Sequence, residues 1–301
     1  MGAARVLIVA NPAAGAVTPA LVWELVRVTR RQVSRVSVRW TTGPGDAFRI
    51  AESCVDDVLI AVGGDGTARD VAAGLASGWS RAAMLIVPAG TANSCYHTLF
   101  GTTPWQSTVA DALRSPSARL LDLARIDDRL VFAGASAGFS ARAIHEARAF
   151  TSHAGPARYH AALVNLIPRH QPYPGRVVVD GRTVHSGPTL LANVGGSRFR
   201  GGYFELLPRS VQDDGLLDVC VLDGAHSPAE MMELTRTGAH LGRPGVVYER
   251  GRSVRIERTD GRPLWFEHDG EVLPLDRGEY TVDVVPAAAR VLAVRSAAMA
   301  A

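Results

Sequence analysis

The chain has 301 residues, 47% hydrophobic and 20% charged, a balance that suits a soluble protein with two domains large enough for separate cores. Its formal charge of +3 is too slight to call for nucleic acid. All 32 basic residues are arginine, which excludes Schiff-base chemistry and the lysine of a Walker-type phosphate loop. Three scattered cysteines (Cys54, Cys95 and Cys220) fit a reducing cytoplasm and offer no zinc spacing, and no apolar run approaches the roughly 20 residues of a membrane span. The expected place is the cytoplasm, with any membrane role peripheral at the inner face.

Strand and helix signals alternate through the first 121 residues. Val6–Ala10 reads as a strand and Asn11-Pro12-Ala13-Ala14-Gly15 as a loop. Thr18-Pro19 supplies a cap and a first-turn proline for a helix through Gln32. Val36–Trp40 alternates as a strand, Asp46–Cys54 suits a helix, Val58–Val62 a strand, Ala68–Ala76 a helix and Met84–Val87 a strand. Four short strands separated by helices predict a parallel sheet of the α/β class. The pattern changes after Asp122. Strands are expected at 130–135, 175–180, 189–194, 216–222, 253–257, 264–268 and 280–285, with helices at 141–149, 158–167 and 228–241. The chain therefore divides into an α/β nucleotide-binding domain over 1–123, a β-rich substrate and metal domain over 124–286, and a tail, 287–301, that packs back on the first domain.

The most informative segment is Leu59-Ile60-Ala61-Val62-Gly63-Gly64-Asp65-Gly66-Thr67. An apolar strand enters a turn whose three glycines carry no side chain to keep a phosphate from the backbone N–H groups. A helix follows, so the turn sits at a positive helix end. Asp65 is the one acid there, able to hold a metal or take a proton. A second strand-to-loop unit, Val87-Pro88-Ala89-Gly90-Thr91-Ala92-Asn93-Ser94, presents another N–H and hydroxyl. Loops at the carboxyl ends of neighbouring parallel strands share one crevice, which the Asn11 loop and Thr41-Thr42-Gly43 would join. Arg69, just inside the helix, is a basic group at hand for phosphate.

Asn-Pro-x-x-Gly at 11–15, Gly-Gly-Asp-Gly-Thr at 63–67 and Pro-x-Gly-Thr-x-Asn at 88–93 resemble the diacylglycerol kinase catalytic domain family, which includes bacterial diacylglycerol and YegS-type lipid kinases and the sphingosine kinases. Asn193-Val194-Gly195-Gly196, Pro208, Asp213-Asp214-Gly215-Leu216-Leu217-Asp218 and Asp269-Gly270-Glu271 extend the likeness through the second half. The resemblance implies an α/β domain and a β-sandwich-like domain with a cleft between them, and ATP and Mg2+ as cofactors. By position it assigns Asn11, Thr41, Gly63, Gly64, Asp65, Gly66, Thr67, Arg69, Gly90, Thr91 and Asn93 to the nucleotide. It assigns Asp214, with the carbonyls of Val211 and Leu216, to a structural magnesium. Glu271 matches the proton acceptor of bacterial members, with Asp269 as its neighbour, while in sphingosine kinases that duty falls to the equivalent of Asp65. The chain departs from the family pattern at Ser94, where an aspartate is common, and at Ala14, where serine is frequent.

The resulting expectation is an ATP-dependent lipid kinase acting on a hydroxyl of a diacylglycerol-like or sphingoid-like acceptor. Two rivals stand beside it: a kinase of a soluble metabolite alcohol, and a catalytically degenerate nucleotide-binding protein. The acceptor's identity and the oligomeric state, a dimer included, are not legible here.

Overall fold

The computed structural model describes residues 4–151 and 156–294. Two compact units divide the chain, one running to Leu121 and resuming at Ala287, the other spanning Asp122–Pro286.

In the first unit, β1 (Arg5–Ala10), α1 (Pro19–Arg30), β2 (Arg35–Trp40), α2 (Asp46–Glu52), β3 (Val58–Gly63), α3 (Asp65–Ser77), β4 (Ala83–Pro88), α4 (Ser94–Phe100) and α5 (Trp105–Arg114) follow in order. The strands lie β4-β3-β1-β2, all parallel, and Val291 near the chain end pairs in parallel with Met84. β1 and β3 are buried along nearly their whole length, as unbroken apolar strands with both faces covered should be. β2 alternates between exposed and half-buried because it is the sheet edge. Thr18 caps α1 by accepting the Leu21 N–H at 3.1 Å, and Val22, Leu25, Val26 and Thr29 form the stripe that α1 lays on the sheet. Helix α3 begins three residues earlier than the periodicity predicts, so Asp65, Gly66 and Thr67 form its first turn. The seven-residue α4 is too short to show a stripe, and α5 was not foreseen although Val109, Ala112 and Leu113 line its buried face.

The second unit begins inside β5 (Ser117–Ile126) and continues through β6 (Arg129–Val131), β7 (Ala135–Gly138), α6 (Phe139–Ala147), α7 (Pro156–Leu166), β8 (Tyr173–Val179), β9 (Arg182–Gly195), β10 (Leu217–Asp223), α8 (Pro228–Leu234), β11 (Val246–Gly251), β12 (Ser253–Arg258), β13 (Phe266–His268), β14 (Glu271–Val272) and β15 (Glu279–Ala293). Its strands are antiparallel. β9 pairs with β8 along its first half and with β7 and β10 along its second, so one long strand serves two parts of a β-sandwich-like domain. The core gathers Val177, Val194, Val219, Ile256, Phe266, Tyr280 and Val282. Against this sheet, a second apolar cluster holds Phe139, Leu163, Leu191, Phe204, Leu222 and Met231.

Two expectations for this unit need correction. The strand expected over 130–135 breaks at Phe132–Gly134, whose N–H groups turn to a side chain instead of a ladder. The helix expected over 228–241 stops at Leu234, where the Thr235 hydroxyl bonds back to the Met231 carbonyl at 2.7 Å and Gly238 takes a φ of +70°. β11 was not foreseen at all. All three cysteines are free and buried.

Candidate active site

The carboxyl ends of the four parallel strands carry the first unit's candidate nucleotide site, and Asn11 is its hub. Its Nδ2 donates to Thr67 Oγ1 at 3.0 Å. Its Oδ1 accepts the Ala13 N–H at 3.0 Å and the Thr41 hydroxyl at 3.3 Å, and its own N–H reaches Val62 O at 3.0 Å. One side chain thus locks the loops after β1, β2 and β3 into a fixed arrangement. The loop after β4 is tied in by Ala16 N to Ala89 O at 3.1 Å and Ala89 N to Gly63 O at 2.9 Å. Thr41 and Thr67 are buried, so their hydroxyls serve this net first.

The glycines are required by space. A Cβ on Gly63 would sit 2.4 Å from Thr67 Oγ1, and one on Gly90 would sit 2.3 Å from Gly64 Cα. Bare backbone from two loops therefore meets at the start of α3, where first-turn N–H groups have no helical acceptor. Such an arrangement can cradle an anion. Asn93, at φ +53°, holds the second loop by accepting the Gly90 N–H at 2.9 Å and donating to Gly90 O at 3.1 Å. Thr91 lies exposed beside it, and Gly66 faces open space.

Asp65 is half-buried, and its carboxylate does structural work the sequence does not reveal. Oδ2 accepts the Ser94 N–H at 3.0 Å and Oδ1 the Cys95 N–H at 2.9 Å, so Asp65 caps α4 from another element. The Arg69 guanidinium is largely buried and donates through Nε and Nη2 to Asp70 Oδ1, at 3.1 and 2.9 Å, a tie to its neighbour that the sequence does not reveal.

In the second unit, Asp269 and Gly270, at φ +48° and +83°, form the two-residue turn between β13 and β14. Glu271 stands exposed at its end. Asp269 holds the turn from inside. Its buried carboxylate accepts the N–H groups of Phe132 at 3.0 Å and Ala133 at 2.7 Å. Two residues whose partnership the sequence does not reveal complete the support. Glu267 accepts the Gly270 N–H at 3.0 Å and pairs with Arg200, their side chains only 1% and 10% exposed. Arg200 also lies on the wall of a cavity of about 50 Å³ lined by Phe139, Tyr159, Leu163, Phe204 and Met231. Burial there drives the Tyr159 hydroxyl far above its ordinary range, so it stays protonated.

The residues expected to hold a structural magnesium do not fit one as folded. Asp214 Oδ2 pairs with Arg250 and its Oδ1 accepts the Leu216 N–H at 3.1 Å, while Val211 is 44% exposed. A guanidinium already neutralises the carboxylate a cation would need. The loop is held from below by Asp122, which accepts the Gly215 N–H and donates its own N–H to Gln212 O, both at 2.6 Å. Among the described residues no three His, Cys, Asp or Glu side chains gather as a metal site.

Two family models match the chain: the diacylglycerol kinase catalytic domain over residues 5–126, and the YegS C-terminal NAD kinase beta sandwich-like domain over residues 133–293. A probable YegS-like lipid kinase of Pseudomonas aeruginosa is 31% identical over 272 residues, covering 88% of this chain and 87% of its own length. A diacylglycerol kinase of Staphylococcus haemolyticus is 27% identical, covering 72% of this chain and 67% of its own. Among solved structures, a diacylglycerol kinase from Bacillus anthracis superposes with a TM-score of 0.76 at 20% identity, over 97% of this chain and 98% of its own. An NAD kinase from Archaeoglobus fulgidus, solved with ATP, shares the fold more distantly, with a TM-score of 0.53 at 13% identity over 97% of this chain and 94% of its own.

Proposed function

The chain belongs to the diacylglycerol kinase family that includes the YegS-like lipid kinases, and from that premise we propose that it transfers the γ-phosphoryl group of ATP to a hydroxyl of a diacylglycerol-like or sphingoid-like lipid. It is a phosphotransferase with an alcohol acceptor. The observation that carries this reading is the bare-backbone cradle where Gly64 meets Gly90, locked by the Asn11–Thr41–Thr67 net.

Phosphoryl transfer leaves little covalent chemistry to the protein beyond positioning, charge stabilisation and removal of one proton. The donor is magnesium–ATP. The N–H groups at the start of α3 and the loop at Gly90-Thr91 hold its phosphates, with Asp65 beside them. The acceptor oxygen attacks the γ-phosphorus, the bond to the β-phosphate oxygen breaks, and ADP leaves. The proton passes to the Glu271 carboxylate, whose exposure on a two-residue turn supports that role. The choice of a lipid acceptor is supported by the relatives named lipid kinase and diacylglycerol kinase, the cavity beside Arg200 being too small as folded to take a hydrocarbon chain. Such a substrate brings the protein to a membrane surface as a peripheral visitor. No helix among the described residues is long and apolar enough to cross one.

The test is label transfer from radioactive ATP to diacylglycerol and to a sphingoid base, each dispersed in neutral detergent. Because Asp65 also caps α4, Asp65→Asn is the informative variant: its amide oxygen keeps one helix cap while the charge is lost. Asp65→Asn and Glu271→Ala should each lower turnover by about a hundredfold or more, with unchanged circular dichroism. Labelling at the parent rate by both variants would overturn the assignment.

A further inference from the structure

Between Glu24 and Asp46 the chain carries five arginines and no acid. Arg27 and Arg30 lie on α1, Arg31 just beyond it, and Arg35 and Arg39 on the edge strand β2. All five are exposed, and among the described residues none makes an ion pair or a side-chain hydrogen bond. Other exposed arginines divide: Arg114 pairs with Asp111, Arg182 with Glu249 and Arg277 with Asp127, while Arg81, Arg243 and Arg290 join no ion pair among the described residues. What sets this stretch apart is its density, five arginines with no acid between them.

Two large aromatic rings accompany the unpaired charges. Trp23 is 71% exposed and stands one helical turn before Arg27, so the sequence Trp23–Arg27–Arg30 runs down one face of α1. Trp40 closes β2, is 40% exposed and, by strand alternation, lies on the sheet face that α1 covers, opposite Arg35 and Arg39. The exposed arginines are well hydrated and need no partner, but large rings standing in water beside them mark a surface that another body can cover. Arginine on an edge strand also deters strand-to-strand aggregation, which accounts for Arg35 and Arg39 but not for the three on and after α1, nor for Trp23.

We propose that the outer face of α1, with Trp23, Arg27 and Arg30, and the adjoining Arg31 form a docking surface for an anionic phospholipid bilayer. Clustered basic residues are drawn to the negative surface potential of such a membrane, and indole rings settle at the headgroup level. Nucleic acid would also attract the arginines. The choice of a bilayer rests on the exposed Trp23 indole and on the lipid-kinase reading above.

The experiment is flotation of the full chain with vesicles of phosphatidylcholine alone, and of phosphatidylcholine mixed with phosphatidylglycerol, at low and high salt and without nucleotide. The parent should float with the mixed vesicles only, and release them at high salt. Arg27→Gln/Arg30→Gln/Arg31→Gln should weaken partition about a hundredfold, at about fivefold per arginine, and Trp23→Ala should weaken it with the arginines intact. All of these variants should keep the parent's melting temperature and its turnover of detergent-dispersed lipid. Equal flotation with both vesicle types, a triple variant that floats like the parent, or duplex DNA that competes fully while Trp23→Ala changes nothing would each overturn the proposal. Flotation is read without turnover. Vesicle binding with no phosphorylated acceptor would sink the kinase reading alone, and turnover without flotation would sink the docking surface alone.

Discussion

Glu267 shows how much one buried charge can hold. Its carboxylate faces Arg200 on one oxygen and the Gly270 N–H on the other, with almost no water nearby. Glu267→Gln would keep an acceptor for Gly270 but strand the Arg200 guanidinium, and removing one member of a buried ion pair costs about 3–5 kcal/mol. Urea unfolding should show a loss of that order. Replacing both partners, Arg200→Met with Glu267→Met, should recover much of it, because neither charge is then left without its counterpart. Residues 63–67 and 88–93 were legible because their chemistry is local: glycines, a hydroxyl and an acid within one turn. The roles of Asp269 and Glu267 were not, since their partners lie 136 and 67 residues away. Asp65 falls between these cases. Its place in the glycine turn is readable, while its cap on α4 joins residues 29 and 30 apart and emerges only from the fold.

At the scale of the element, periodicity served where one face is buried against a large sheet. α1 and the apolar strands β1, β3 and β4 are of that kind. It failed where tertiary hydrogen bonds override local preference, as at the break between β6 and β7, and where a helix is too short to show a stripe, as in the seven-residue α4. The loop before β10 carries a separate prediction. Because Asp214 is matched by Arg250 rather than standing ready for a cation, a chelator should leave the thermal midpoint of the apo protein unchanged. Phosphoryl transfer should nonetheless stop, since the donor is magnesium–ATP. A midpoint that falls on chelation and returns with magnesium would show that the loop opens to take the ion.

Across the whole molecule, buried imidazoles tie stability to acidity. Burial, helped by the Arg142 charge, pulls His170 from an ordinary value near 6.5 to about 4, and burial also lowers His185 and His240. Between those two values the unfolded chain holds more protons than the native one. Stability is therefore full above about pH 6.5, falls as the pH drops, and has lost this contribution below about pH 4. Allowing for partial exposure, His170 alone should account for about 2 kcal/mol. Denaturant titrations of the parent and His170→Gln at pH 7.5 and 4.5 should show the smaller decline in the variant. The burial of the three cysteines has a different use. Cys54 and Cys95 belong to the first unit and Cys220 to the second, and burial pushes the Cys220 thiol up to about 12. A maleimide can reach none of them in the folded chain. Alkylation followed by peptide mapping thus becomes a clock with two hands, timing the opening of each unit on its own.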